Sequence, residues 1–217
     1  MSPRELERIA PDGDGPVDDP PDVPRRPVRA DARRNLDALL RAAMAEFTES
    51  GIDAPIRAIA ARAGVGVGTV YRHFPQRSDL IRAIIQHEVD DCVAAAATLA
   101  ATHTPADALA EWMQGLVDLA ATKRGLGPAL HSGDPAYQSL PGYVLGQLTP
   151  ALRGLLDAAV NAGTVRSGVD AGELVLAGMR LATPASEGDV PQARRMVALL
   201  VDGLRCRPMD RVSRAVP

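Results

Sequence analysis

The stretch Ile56-Arg57-Ala58-Ile59-Ala60-Ala61-Arg62-Ala63-Gly64-Val65-Gly66-Val67-Gly68-Thr69-Val70-Tyr71-Arg72-His73-Phe74 decides the fold of this chain. Apolar residues recur at helical spacing on both sides of Gly64-Val65-Gly66, which predicts two short helices joined by a tight turn. Pro75 would end the second helix. Four small or branched side chains would pack the two helices together: Ile59, Ala60, Val65 and Val70. This arrangement is the helix-turn-helix geometry.

The second helix of this unit would present an outward face suited to the DNA major groove. The residues predicted on that face are Val67, Gly68, Thr69, Arg72 and His73. An arginine there can bind guanine O6 and N7, and a threonine can contact a thymine methyl group. Tyr71, Arg57 and Arg77 are placed to bind phosphates, as is the N-terminus of the helix that follows. The glycines also resemble a nucleotide-phosphate loop, but that loop would need to follow a strand.

Composition favours helices throughout the chain. Of the 217 residues, 46% are hydrophobic but only 3% are aromatic, which argues against a β-sandwich or barrel. Helices are predicted from Asp31 to Gly51, from Asp53 or Ala54 with Pro55 in its first turn, over Val67–Phe74, and from about Arg77 through Cys92. Further helices are predicted from Thr104, over Tyr137–Asn161 with an interruption near Pro141, over Asp170–Ala182 and over Asp189–Arg205. Irregular connections are predicted around Gly125–Pro128 and Ser132–Pro135. The predicted fold class is all-α.

Charge is distributed unevenly along the chain. The whole sequence has a net charge of −3, but residues 25–87 carry eleven arginines against six acidic residues, a net charge of +5. The acidic, proline-rich residues 1–30 are predicted to be a disordered arm. Its basic end at residues 25–29 could lie along DNA, or the arm could simply keep the chain soluble. A basic region inside an acidic chain suggests a polyanionic partner, although a solvated helix face would give the same count.

The remaining features indicate a cytoplasmic protein. No signal peptide or membrane-spanning run is visible, and Cys92 and Cys206 form no metal or disulfide motif. We expect four segments: the arm at 1–30, a DNA-binding domain at 31–91 with its motif at 55–74, a helical domain at 92–206, and a flexible tail at 207–217.

Residues 31–91 strongly resemble the DNA-binding domain of TetR/AcrR-type transcriptional repressors. The resemblance rests on Ile-Ala-x-x-Ala-Gly-Val at residues 59–65, then Gly-Thr-Val-Tyr-Arg-His-Phe at residues 68–74. It implies that Gly68, Thr69, Tyr71 and His73 contact operator DNA and that Arg77 contacts a phosphate. Pro55 and Gly66 depart from the family pattern, because each stands where relatives often have a hydroxyl side chain.

The resemblance further implies a homodimeric repressor that a small molecule releases from double-stranded operator DNA. Residues 120–126 and 162–166 resemble stretches of SbtR-like C-terminal domains, which implies effector binding and dimerisation in the second half. The expected dimer interface comprises Val175, Leu176, Met179, Met196, Val197, Leu200 and Leu204. Activation instead of repression, and a dimeric DNA-binding protein with no effector, remain open.

An effector pocket in the second half would be mainly aliphatic, because few aromatic residues remain for it, and would suit an apolar effector. Its candidate residues are Trp112, Met113, Leu116, His131, Tyr137, Tyr143 and Met179. Residues at such spacing are also typical of plain helical core. An enzyme would need converging acid, base or metal groups, and His103, His131, Ser132 and Asp134 match no catalytic or ligand motif. We therefore predict no enzyme activity, metal or cofactor.

Overall fold

A computed structural model describes residues 26–122, 126–130, 132–182 and 189–205 of the chain. Its helices are α1 (Arg26–Ser50), α2 (Ile56–Ala63), α3 (Val67–His73), α4 (Arg77–Thr102), α5 (Pro105–Thr122), α6 (Gly127–Leu130), α7 (Leu140–Asn161), α8 (Ala171–Ala182) and α9 (Val190–Asp202). A 3-10 turn at Pro135–Tyr137 precedes α7. Within the described ranges, the only β-pairing is an isolated bridge between Val165 and Arg205. The all-α prediction is confirmed.

The first helix begins earlier than its sequence pattern predicts. It starts at Arg26, so residues 26–30, predicted to belong to a disordered arm, are helical. Pro27 lies in the first turn, where a missing backbone N–H costs no helical hydrogen bond. The rest of the predicted arm and the predicted tail at 207–217 lie outside the described residues.

Glycine and proline set the boundaries of the short helix α2. Gly64 ends α2 with a left-handed φ of 68°, and its N–H reaches the carbonyls of Ala60 and Ala61. The predicted start of α2 at Asp53 or Ala54 is wrong, because α2 starts at Ile56 and the extended Pro55 precedes it. A residue before proline is disfavoured in the helical region, so Ala54 stays outside the helix.

The long helix α4 connects two packed regions. It packs against α1 near its start, where Arg77 approaches Phe47. Further along it packs against α5 and α7, where hydrogen bonds reach Cys92 and Asp90. We call α1–α3 with the first turns of α4 the head, and α5–α9 with the rest of α4 the C-terminal domain. Helix α5 is central to the latter, because it packs against α4, α7, α8 and α9.

Three boundaries in the C-terminal domain differ from prediction. Gly127 and Pro128, predicted to lie in an irregular connection, belong to the single helical turn α6. Tyr137 lies in the 3-10 turn and α7 starts at Leu140, because Asp134 accepts a hydrogen bond from the Ala136 N–H (2.8 Å) and starts a separate turn. Helix α9 ends at Asp202, and Arg205 lies in the bridge to Val165.

Each region has one fully buried large aromatic side chain. Phe47 occupies the centre of the head, and Trp112 lies in the core of the C-terminal domain. The Trp112 Nε1 donates a hydrogen bond to the Cys92 carbonyl on α4 (2.9 Å), which fixes α5 against that helix. None of the described helices has the length and apolar character that a membrane span requires.

Candidate nucleic-acid interface and apolar cavity

Helix α3 is anchored by one side chain and leaves its other face open. Val70 is completely buried, whereas Tyr71 is 53% exposed and Val67 is 41% exposed. Gly68, Arg72 and His73 are also exposed, and Thr69 is half-buried. Arg57 lies exposed on α2, with no hydrogen bond or ion pair in the described part of the chain. Seven of the predicted DNA-contacting residues therefore lie on α2 and α3, and all of them except Thr69 are exposed.

The turn before α3 is closed by the backbone. Gly66 precedes the helix with extended φ and ψ of −71° and 144°, and its carbonyl accepts from the Thr69 N–H (2.9 Å). A side chain at Gly68 would meet no atom of the described chain within 4 Å. Internal packing therefore does not explain a glycine at position 68. The surface of α3 is open there, so another molecule could come close to the helix backbone.

Arg77, predicted to contact a phosphate, points into the head. Its Nη1 donates a hydrogen bond to the Ile52 carbonyl, in the turn between α1 and α2. Its guanidinium carbon lies 5.7 Å from the centre of the Phe47 ring. The side chain is half-buried and joins α4 to α1 and to the turn that follows α1.

An ion-pair cluster between α1 and α2 has no counterpart among the sequence predictions. Arg62 donates to Glu46 Oε1 (2.9 Å) and to both carboxylate oxygens of Glu49 (2.8 and 2.5 Å). The hydrogen bond from Arg62 holds the pKa of Glu49 below its ordinary value. A contact between residues thirteen and sixteen positions apart leaves no periodic signal in the sequence.

The C-terminal domain contains an apolar cavity of about 350 Å³. It lies between α4, α6, the 3-10 turn, α7 and α8. The described residues that line it are Ile85, Leu130, Tyr137, Leu140, Pro141, Val144, Leu145, Leu176 and Met179. Its volume is at the lower end of the range for small-molecule sites. None of these lining side chains is charged, and the Tyr137 hydroxyl is their only polar group.

Only part of the predicted pocket set lines this cavity. Tyr137 and Met179 do, and their neighbours Leu140 and Val144 were not singled out because they follow ordinary helical spacing. Met113 and Leu116 are completely buried in the core, where their side-chain ends pack beneath Gly178. Three further members lie elsewhere: Trp112 borders a second cavity, the Tyr143 hydroxyl donates to Asp90 on α4 (2.9 Å), and His131 lies outside the described residues.

The second cavity, of about 250 Å³, lies between α4 and α5 and has a different chemical character. Four carboxylates border it: Glu88, Asp91, Glu111 and Asp118. Burial raises the pKa of Glu88, with an opposing effect from His87 and a smaller raising effect from Asp91. Asp118 is paired with Arg194 on α9.

Helices α8 and α9 leave apolar side chains uncovered on the protomer surface. Leu199 is 65% exposed, Leu176 is 41% exposed and Met196 is 40% exposed, while Leu200 and Met179 are half-buried. Leu199 is missing from the predicted interface. Val175, Val197 and Leu204, which were predicted for it, are buried inside the protomer. Val197 and Leu199 lie two positions apart on α9, so helical periodicity places one inward and the other outward.

The polar residues weighed as a catalytic or metal cluster have local structural partners. His103 Nδ1 lies 2.8 Å from the Thr102 hydroxyl, and the Ser132 hydroxyl donates to the Ala129 carbonyl (2.6 Å). Asp134 starts the 3-10 turn. In the part of the chain that the structure describes, no group of three or more His, Cys, Asp or Glu residues could hold a metal ion.

Two family models match the chain, one in each region. Residues 39–84 match the model for bacterial regulatory proteins of the TetR family. Residues 104–206 match the model for the C-terminal domain of SbtR-like transcriptional regulators. A helix-turn-helix transcriptional regulator of Staphylococcus aureus strain USA300 is 38% identical over 64 residues, which span 29% of this chain and 35% of that regulator.

Similar solved structures cover far more of the chain. A TetR transcriptional regulator from Streptomyces coelicolor is 36% identical over 78% of this chain and 97% of its own, with a TM-score of 0.66. A TetR regulatory protein from Mycobacterium vanbaalenii is also 36% identical, over 83% of this chain and 100% of its own, with a TM-score of 0.64. The exposed helix-turn-helix, the helical second domain and these likenesses agree: this chain belongs to the TetR family of transcriptional regulators, with an SbtR-like C-terminal domain.

Proposed function

We propose that this regulator binds double-stranded operator DNA as a homodimer, represses transcription, and leaves the DNA when a small apolar molecule enters the cavity lined by Tyr137 and Met179. The observation that carries the proposal is the outer face of α3, where Tyr71, Arg72 and His73 lie exposed on a helix anchored by Val70 alone. We place the chain in the cytoplasm, without enzyme activity or cofactor.

The DNA contacts would divide between bases and phosphates. Arg72 can donate two hydrogen bonds to one guanine, and the Thr69 methyl group can contact a thymine. Arg57 and Tyr71 would bind phosphates on either side of the groove. Val67, Gly68 and His73 complete the face, with Gly68 allowing the helix backbone to approach the DNA closely.

A gel-shift experiment with the region upstream of the chain's own gene tests this assignment. We expect the double variant Tyr71→Ala, Arg72→Ala to lose specific binding while its far-UV circular dichroism and Tm stay unchanged. Arg153→Ala, an exposed arginine on α7, is the matched control and should bind as the unaltered protein does. Undiminished binding by the double variant would contradict the placement of α3 in the groove.

The homodimer would form through the uncovered face of α8 and α9. Its centre would be Leu176, Met196 and Leu199, because exposed large apolar side chains on neighbouring helices favour association. Two copies related by a twofold axis would bring these helices together as a four-helix bundle. Two α3 helices could then occupy successive major grooves about 34–36 Å apart.

Sedimentation velocity tests the dimer directly. The unaltered chain should sediment as a dimer at micromolar concentration, and Met196→Glu with Leu199→Glu should sediment as a monomer. Ala158→Glu, which adds the same charge at an exposed position of α7, should leave the dimer intact. A monomeric unaltered chain would contradict this part of the proposal.

The cavity lining defines the chemistry of the effector. Because no described lining side chain is charged, the desolvation of an ionised group in the cavity would not be compensated. A neutral apolar molecule that accepts or donates one hydrogen bond at the Tyr137 hydroxyl fits this lining. The cavity favours this proposal over a DNA-binding dimer without an effector.

Displacement of the neutral fluorescent probe N-phenyl-1-naphthylamine tests this specificity. Decan-1-ol should displace the probe, and decanoate at the same concentration should do so much more weakly. Val144→Trp should abolish probe binding by filling the cavity, whereas Glu111→Gln, at the second cavity, should bind it normally. Equal displacement by alcohol and carboxylate would contradict an uncharged effector.

A further inference from the structure

Arg77 occupies an unusual position for a charged residue at the start of a helix. It is the first residue of α4, yet its guanidinium turns away from the surface and packs over the Phe47 ring. The same guanidinium donates to the Ile52 carbonyl, just after Gly51 ends α1 with a φ of 79°. One side chain thus contacts α1, the turn that follows α1, and α4.

Both contacts depend on the shape of a guanidinium group. A planar guanidinium stacks on an aromatic face while its edge donates hydrogen bonds, whereas a lysine ammonium is a compact point charge. The Ile52 carbonyl lies outside the helices, so Arg77 satisfies an acceptor in the turn. These contacts direct the charge of Arg77 inward.

Arg57 provides the contrast within the same region. Its side chain is exposed on α2 and has no partner in the described part of the chain, which leaves it available for a phosphate. Arg77 is only half-accessible and already bonded. The side chain of Arg57 is therefore available to bind a phosphate, whereas that of Arg77 is engaged inside the head.

Arg77 also lies at the junction between the head and the cavity. The 3-10 turn that carries Tyr137 packs against α4. Burial raises the pKa of the Tyr137 hydroxyl, Asp134 raises it further, and the positive charges of Arg77 and Arg82 on α4 oppose this. Asp79, on the same turn of α4, accepts hydrogen bonds from the Gln76 N–H (3.1 Å) and from Arg82 (3.0 Å). Arg77 thus holds the start of α4 to the turn after α1, and Asp79 stabilises the first turn of α4 itself.

We propose that Arg77 is a positioning residue: it fixes α4 to the α1–α2 turn and thereby sets the distance between the two DNA-reading helices of the dimer, without contacting a phosphate. This inference rests on the proposed function, because it requires a dimer on DNA. A loosened α4 would let each head rotate relative to the C-terminal domain. The dimer would then tolerate half-sites at spacings that the unaltered protein rejects.

The experiment measures how Arg77→Gln, Arg77→Lys and Arg57→Gln bind DNA. The probe is the duplex that the unaltered chain selects from a random-sequence pool, together with derivatives whose half-sites are moved apart or together by one base pair. Fluorescence anisotropy gives the affinity ratio between the selected spacing and the altered spacings, and the slope of log affinity against log salt. Thermal melting reports the folded state of each variant.

A positioning role predicts the same pattern for both Arg77 variants. The preference for the selected spacing should fall several-fold in Arg77→Gln and Arg77→Lys, while the salt slope stays that of the unaltered chain. Arg57→Gln should keep the spacing preference, and its salt slope should fall by about 0.9 for each phosphate that is no longer neutralised. Arg77→Gln should also lower Tm by about 2–4 °C.

Other patterns would overturn the proposal. If Arg77 binds a phosphate, Arg77→Gln would reduce the salt slope, Arg77→Lys would restore it, and all spacings would weaken equally. If Arg77 only stabilises the fold, the Tm would fall with the spacing ratio unchanged. Should Arg77→Gln fail to fold, Arg77→Lys gives the same two readouts. An unaltered chain that selects no sequence would overturn the proposed function first, and this inference with it.

Discussion

The outer face of α3 contributes little to the stability of the protein, whereas the wall of the apolar cavity is part of the packed core. On α3, Val70 holds the helix in place, and every other residue of the helix except the half-buried Thr69 is exposed. In the C-terminal domain, Leu140 and Val144 are buried by the packing that also forms the cavity. Substitutions of the exposed side chains of α3 should therefore alter DNA binding with little effect on stability, whereas substitutions around the cavity should alter both stability and effector binding.

The largest effect is expected where a predicted pocket residue is in fact core. Leu116→Ala should lower the free energy of unfolding by roughly 2–5 kcal/mol, because the side chain is fully buried against Gly178. Met179→Ala should cost clearly less, because Met179 is half-buried and borders the cavity. Urea unfolding of both variants measures the difference. Equal losses would show that the cavity wall is packed as tightly as the core.

The next effect should leave stability unchanged and appear only in DNA binding. Arg72→Ala should weaken operator affinity by roughly 1–3 kcal/mol per half-site, the range for a bidentate contact with guanine. Its unfolding free energy should stay within about 0.5 kcal/mol of the original value, as for most surface changes. Anisotropy and urea unfolding on one preparation test both statements. A large loss of unfolding free energy would show that the outer face of α3, like the cavity wall, contributes to the stability of the fold.

Gly68→Ala should increase the stability of the protein and decrease its affinity for operator DNA. Alanine in a helix is favoured over glycine by roughly 0.5–1 kcal/mol, and the added methyl group meets nothing in the described chain. Operator affinity should nevertheless fall, because the methyl group keeps the α3 backbone away from the DNA. The same two measurements apply. An unchanged affinity would show that the backbone does not approach the DNA closely at this position.

The two regions also differ in how much of them the sequence predicts. The outer face of α3 lies within one helix of seven residues, so helical spacing around Val70 is enough to distinguish inward from outward positions. The cavity takes its walls from five separate segments. Leu140 lines the cavity and Tyr143 bonds to α4 because of how α7 is rotated about its axis relative to α4. Spacing along one helix does not contain that rotation. It also could not show that Arg77 turns inward, because this depends on where the Ile52 carbonyl and the Phe47 ring lie.

The smallest effect concerns the contact that holds α2 against α1. The hydrogen bond from Arg62 lowers the pKa of the Glu49 carboxyl from its ordinary value of 4.5. In Arg62→Gln we expect the Glu49 pKa to return toward that value, as measured by NMR titration of the side-chain carboxyl carbon. Exposed pairs of this kind are screened by solvent and salt, so the change in stability should be slight.

The sign of the pH effect follows from the lowered pKa. A carboxyl whose pKa is lower in the folded state stabilises the fold fully above its unfolded pKa, and that stabilisation disappears as pH falls through the folded pKa. The Tm difference between the unaltered chain and Arg62→Gln should therefore be constant above about pH 5 and shrink below it. A difference that grows in acid would mean that Arg62 does not stabilise the charged form of Glu49. Because Arg62 lies on the side of α2 that contacts α1, operator affinity at neutral pH should change little, which again separates the packing of the head from the outer face of α3.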